Sequence, residues 1–215
     1  MSEIILMSDP RVVTIPVIES GEALVDVRGK GLLTDARRAD AEGAFAYLRH
    51  GVLDRLLKAQ ELLPDGLRLL FVEGYRPPSL QARYFDEYAD ELRAANPNWP
   101  AEEVRTATSR YVSPPEIAPH SAGAAVDLTL VDAEGVELDM GTRVNANPED
   151  SDGACYTAAG NISAEAKENR ALLTAALETA GLVNYPTEWW HWSFGDRYWA
   201  LNTGAPAALY GPKEV

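Results

Sequence analysis

Between Ala122 and Val131 the chain reads Ala-Gly-Ala-Ala-Val-Asp-Leu-Thr-Leu-Val, and Asp127 is the only charge in it. Val126, Leu128 and Leu130 alternate with Asp127, Thr129 and Val131, the period of two by which a β-strand presents two faces. The strand predicted over 124–132 therefore carries a carboxylate into apolar company, where burying it alone would cost several kcal/mol. A fold for this chain has to give Asp127 a hydrogen-bonding partner or a cation.

The other elements follow from similar patterns. Val52, Leu53, Leu56 and Leu57, with Leu62 or Leu63, mark one face of a helix over 52–63 that Pro64 stops. Leu67 to Tyr75 reads as a buried strand delivering Arg76 at its end, after which Pro77 and Pro78 open a helix over 79–95. A second helix follows Pro100, with Glu102 and Glu103 at the positive end of its dipole. Ser163 caps a helix that ends before Gly181, and segments 182–185 and 188–194 form a last pair of strands around Pro186. Gly43 to Leu48 is a short strand or a helical turn, and the β-branched runs Arg11–Val17 and Ala23–Val27 suggest edge strands or an arm laid over the core. The segments between strands vary too much for regular βαβ units. The fold class is thus α+β: a single domain over 1–215 with a mainly antiparallel central sheet flanked by helices and an N-terminal arm over 1–40.

Nineteen basic against thirty-three acidic side chains leave a net charge of -14, which disfavours nucleic acid and anionic membranes as partners. The acid is densest from Glu116 to Glu168, where eleven carboxylates face only Arg143 and Lys167. That stretch is either a set of solvated loops or a site for a cation, metal or amine. The one cysteine, Cys155, excludes intramolecular disulfides and a multi-thiolate zinc cluster. No apolar run approaches the ~20 residues of a membrane span. Ser8, Asp9, Pro10 and Arg11 interrupt any signal-peptide pattern, so a cytoplasmic protein is expected.

Of the three histidines, His50 reads as a surface or packing residue, while His120 and His191 sit in chemically loaded surroundings. His191 lies in Glu188-Trp-Trp-His-Trp192, where three indoles would exclude water, strengthen ligation and raise the pKa of a nearby carboxyl. Two imidazoles and Asp127 make a zinc site with a fourth position open, the arrangement of a hydrolase, and Glu188 is then the natural general base. On a regular strand Glu188 and His191 would point to opposite faces, so a bulge or turn near Trp189 or Trp190 is required. The residues alone leave two readings, a metal site or a hydrogen-bonded core cluster.

Four segments in order, Glu73-Gly-Tyr-Arg-Pro77, His120-Ser-Ala-Gly-Ala-Ala-Val-Asp127, Met140-Gly-Thr-Arg143 and Glu188-Trp-Trp-His191, resemble the zinc D-alanyl-D-alanine dipeptidases. That group is best known from vancomycin resistance and belongs to the D,D-peptidases with His-x6-Asp and Glu-x-x-His zinc motifs. The likeness covers a catalytic core from Val52 to Trp192. It implies one Zn²⁺, in a cleft on the sheet, held by His120, Asp127 and His191. It also implies Glu188 as catalytic base and Arg76 as donor to the developing oxyanion. Ser121, Asn145 and Tyr75 are the candidate substrate contacts. Two positions depart from the family pattern: Ala118 stands where a serine is usual, and Asn145 where an aspartate commonly holds the substrate amine. Glu149, Asp150 or Asp152 in the acidic run 148–154 would be the substitutes. The implied activity is hydrolysis of a small D,D-dipeptide, D-alanyl-D-alanine foremost. A D,D-carboxypeptidase or another cell-wall peptide hydrolase is the alternative, with a silent peptide-binding protein as the reading from another class. The oligomeric state is not legible.

Overall fold

The computed structural model describes residues 4–214. In chain order its elements begin with α1 (Pro10–Val13), β1 (Leu24–Asp26), β2 (Leu33–Thr34), β3 (Tyr47–Arg49), α2 (His50–Leu62) and β4 (Arg68–Glu73). They continue with α3 (Pro78–Ala95), α4 (Ala101–Thr108), β5 (Ala125–Val131), α5 (Ala164–Thr179), β6 (Val183–Asn184), β7 (His191–Ser193) and α6 (Arg197–Thr203). A five-stranded sheet runs β2-β4-β5-β7-β6, with β1 and β3 in a separate two-stranded ribbon. Only β2 and β4 pair in parallel, so the sheet is mainly antiparallel and the α+β reading holds. No described helix is long and apolar enough to cross a membrane.

The alternation around Asp127 sorts faces rather than exposure, because all seven residues of β5 are buried. Val126, Leu128 and Leu130 enter the main core, where they meet Val52, Leu53 and Leu56 of α2 and Leu173 and Leu177 of α5. Each such side chain contributes about 1.5–3 kcal/mol of burial. A satellite cluster joins α3 to α4 through Phe85, Leu92 and Val104. Another joins the N-terminal arm to α6 through Met7, Val12 and Tyr198.

The N-terminal arm departs from the sequence reading. The run from Arg11 to Val17 is not a strand: Pro10 opens one helical turn, and Asp9 caps it by accepting from the Arg11 N–H. Helix α6 also went unread, although Asp196 accepts from the N–H groups of Tyr198 and Trp199 and Gly204 ends it at φ 70. The last strand is shorter than 188–194, since Glu188 lies in a turn.

Two local features set the site. Opposite β5, Phe71 pairs with Leu128 but Glu73 pairs with Asp127, so Val72 is an extra residue that bulges β4. The bulge brings Glu73, not Val72, beside Asp127. Next, Gly74 packs directly on β3: its N–H donates to Phe45 O at 2.7 Å, and a Cβ there would lie 2.5 Å from Tyr47 O and 2.9 Å from Phe71 Cζ. Since a backbone oxygen cannot swing aside, Gly74→Ala should destabilise the fold by about 1–3 kcal/mol. Urea denaturation checks this, and an unchanged midpoint would contradict the close approach.

Candidate active site

Residues directly opposite on adjacent strands share a face, and Asp127 has Glu73 opposite it on β4 and His191 opposite it on β7. Three ionisable side chains thus form a row across the sheet. His120 reaches the row from a short 3-10 turn, His120–Ala122, which Gly123 closes at φ 65. The buried Arg49 guanidinium holds that turn by donating to Ala122 O at 2.8 Å, and also binds Glu19.

His120 Nδ1 lies 2.6 Å from Gly74 O. A carbonyl only accepts, so Nδ1 carries a proton and Nε2 is the nitrogen turned toward the row. This Nε2 lies 3.3 Å from Asp127 Oδ1 and 3.2 Å from His191 Nδ1, and the third edge, His191 Nδ1 to Asp127 Oδ1, is 3.2 Å. Ligand atoms 2.0–2.1 Å from a tetrahedral ion are separated by about 3.3 Å. Although both imidazoles stand close, Asp127 Oδ1 is buried without a well-formed hydrogen bond. The triangle and this orphaned oxygen fit a shared cation better than a hydrogen-bonded core cluster.

The electrostatics agree with that fit. Burial would raise the Asp127 carboxyl, but the imidazoles of His120 and His191 packed against it hold it far below the usual carboxylate range. Burial pushes His191 down, toward the neutral ligating form. Glu188 is raised well above an ordinary carboxyl, by burial first and then by the charge of Asp127. Its Oε2 lies 3.6 Å from His191 Nδ1.

A turn brings those two residues together. The His191 N–H donates to Glu188 O at 3.2 Å across Trp189 and Trp190, and Asn184 Nδ2 bonds both Glu188 O and His191 O. The indoles act from behind the turn rather than from the cleft. All three belong to the main core, with Trp189 Nε1 donating to Thr142 and Trp192 Nε1 to Trp189 O. They sink the turn into the interior from behind, and none lines the cleft.

Arg76 is buried rather than a surface ion pair. It meets Glu73 in a two-pronged contact, Nε to Oε1 at 2.8 Å and Nη2 to Oε2 at 2.7 Å, and Nη1 bonds Gln81 Oε1 at 2.8 Å. Burial would lift the Glu73 carboxyl, yet the charge and bonds of Arg76 hold it below its usual value. Glu73 and Gln81 are site residues to which the sequence reading gave no role. A lone acid closing an apolar strand three residues before Arg76 was the available signal for Glu73.

The cleft encloses ≈ 260 Å³ and brings Arg76, Tyr111, Asn145 and Glu188 around the triangle. Asn145 has φ 62, and its carbonyl accepts from Tyr111 Oη at 3.0 Å. Burial, with the charge of Glu188 next, pushes Tyr111 up to about 12, so its hydroxyl stays a donor. Ser121 and Tyr75 do not line the cleft. The Ser121 hydroxyl donates to Arg76 O at 2.9 Å, and the Tyr75 hydroxyl to Lys213 O at 2.6 Å, so both brace backbone. Ala118 is buried. In the acidic loop, Glu149 accepts from the cleft residue Tyr88, while Asp150 accepts from Asn147 Nδ2 at 2.8 Å. Most of the remaining acid in 116–168 is exposed; Asp132 and Asp139 cap turns, and Glu116 and Glu137 pair with Arg105 and Arg37. Cys155 is buried, which raises its thiol pKa.

A family model, Peptidase_M15, described as D-ala-D-ala dipeptidase, matches residues 37–205. A D-alanyl-D-alanine dipeptidase of Synechocystis sp. is 31% identical over 218 residues, covering 86% of this chain and 87% of that protein. One from Enterococcus faecium is 33% identical over 151 residues, covering 66% of this chain and 70% of that protein. Among solved structures, VanYB in complex with D-Alanine-D-Alanine superposes with a TM-score of 0.46 at 17% identity, over 77% of this chain and 82% of that one.

Zinc binding should release protons in a defined way. A cation favours the carboxylate form of Glu188, whose proton affinity is raised by burial, whereas the Asp127 carboxyl is held low and burial disfavours the His191 imidazolium. Near pH 6, calorimetry in buffers of different ionisation enthalpy should therefore find more protons released by the native protein than by Glu188→Gln. Asp127→Ala should weaken zinc by on the order of 100-fold or more. Equal release from both proteins would contradict the raised carboxyl.

Proposed function

Because the chain belongs to the D-ala-D-ala dipeptidase family of peptidases, we propose that it hydrolyses the peptide bond of a small D,D-dipeptide, D-alanyl-D-alanine foremost. The observation that carries this reading is the triangle of His120, Asp127 and His191 with the Glu188 carboxyl beside it. These three residues would hold one Zn²⁺, with Glu188 left outside the ligand set as a base. When bound, the ion would acidify water and polarise the scissile carbonyl as a Lewis acid.

The rest is the work of the chain. Glu188 Oε2 accepts the proton of the attacking water and returns it to the leaving amine nitrogen. Its raised proton affinity suits a group that must both take and give a proton near neutral pH. Arg76 donates to the substrate oxygen as negative charge develops there. Because Glu73 and Gln81 hold three of its N–H groups, the guanidinium does not reorient during the reaction. Tyr111 fixes the Asn145 backbone on the cleft wall. The cleft, at ≈ 260 Å³, is below the 300–1,000 Å³ usual for ligand pockets and favours a very short peptide over a long chain.

The purified protein should release D-alanine from D-Ala-D-Ala, lose that activity on chelation and regain it with Zn²⁺. Glu188→Gln should retain zinc and lower kcat by about 10²–10⁴-fold. Arg76→Met should lower it by about 10²–10³-fold. Hydrolysis that survives chelation, or is unaffected by Glu188→Gln, would sink the reading.

A further inference from the structure

Arg38 stands on the cleft wall with most of its hydrogen-bonding capacity unused. Its Nε donates to Glu73 Oε2 at 3.2 Å, and among the described residues neither terminal nitrogen has a partner. The guanidinium lies 5.2 Å from the centre of the Tyr84 ring, as that of Arg76 does. Glu73 and Tyr84 therefore fix the group, while its side chain stays 31% exposed.

The local charge does not balance. Glu73 carries one negative charge and two guanidiniums share it. Of the other cleft acids, Asp127 and Glu188 are engaged at the metal triangle. Glu87 is 3.7 Å from Arg83, and Glu91 stands two helical turns along α3 from Tyr84. Around Glu73 itself one positive charge is left over, on the planar fork that best matches a carboxylate.

We propose that Arg38 binds the terminal carboxylate of the substrate, the one that follows the scissile bond. This rests on the D,D-peptide reading above and adds the feature by which a free carboxyl end is selected. The spacing agrees. Arg38 Nε and Arg76 Nη2 bond the same Glu73 oxygen, at 3.2 and 2.7 Å, so the two nitrogens are at most about 6 Å apart. A scissile carbonyl and the next carboxyl are one residue apart, about 3.3–3.6 Å, so one guanidinium meets the developing oxyanion and its neighbour the carboxylate. Arg38 also lies outside the segment 52–192 that the sequence motifs span, which is why they did not expose it.

The test compares D-Ala-D-Ala with its C-terminal amide on the zinc-loaded native protein, Arg38→Gln and Arg38→Lys. For the free acid, Arg38→Gln should raise KM on the order of 10- to 100-fold, the effect of losing charge-assisted hydrogen bonds. In the same assay kcat should stay within about threefold. For the amide, KM should be unchanged, and Arg38→Lys should recover part of the loss. Zinc content and melting temperature should match the native protein. Equal KM rises on both substrates, a change confined to kcat, or no change would overturn the assignment alone. Absence of turnover of either peptide by the native protein would overturn the hydrolysis reading, and this assignment with it.

Discussion

A carboxylate in the middle of a fully covered strand can persist only where positive charge or hydrogen-bond donors converge on it, and Asp127 organises its surroundings accordingly. Imidazoles approach it from the turn before its own strand and from the neighbouring strand. On the other side stands Glu73, a second carboxylate, whose charge Arg76 offsets. Because every member is buried, each interaction acts at low dielectric, and losing one partner would expose the others to an uncompensated charge. The array is best regarded as one electrostatic unit spread over three strands and a turn.

Much of this unit was legible in the sequence because strand periodicity is a local property. The alternation around Asp127, the helix capped by Ser163 and the strand ending before Arg76 each announce themselves within a dozen residues. The need for a turn between Glu188 and His191 was also readable, since regular strand geometry could not bring them together. What escaped depends on distant contacts. Bonding of the Ser121 and Tyr75 hydroxyls to backbone, rather than to the cleft, is settled by segments far away in sequence. The placement of the indoles behind the turn is a packing outcome with no local signature. Arg38 sits in a loop without periodicity, and only the fold brings it to Glu73.

Arginines do much of the fastening around the site, each by a different chemistry. Arg49 is buried and ties the His120 turn to Glu19 and to the carbonyls of Glu22 and Gly211. Arg170, on α5, has no carboxylate in hydrogen-bonding contact among the described residues and instead bonds the carbonyls of Met140, Ala154 and Tyr156. Burial lowers its pKa to about 10, which still leaves it charged at neutral pH. It thereby holds the segment that follows the Asn145 wall. In a chain with net charge -14, these few cations are placed where backbone or catalytic carboxylates need them.

The bulge at Val72 makes the site depend on parity. Along a strand each position has one of two facings, and adding or removing a single residue exchanges them for everything beyond that point. With the bulge, the end of β4 turns Glu73 toward Asp127. In regular pairing, without the bulge, Val72 would stand opposite Asp127 and the partner of Arg76 would point elsewhere. The array is therefore kept by a count rather than by a contact, so substitutions can tune it gradually while an insertion or deletion in β4 can only keep it or abolish it.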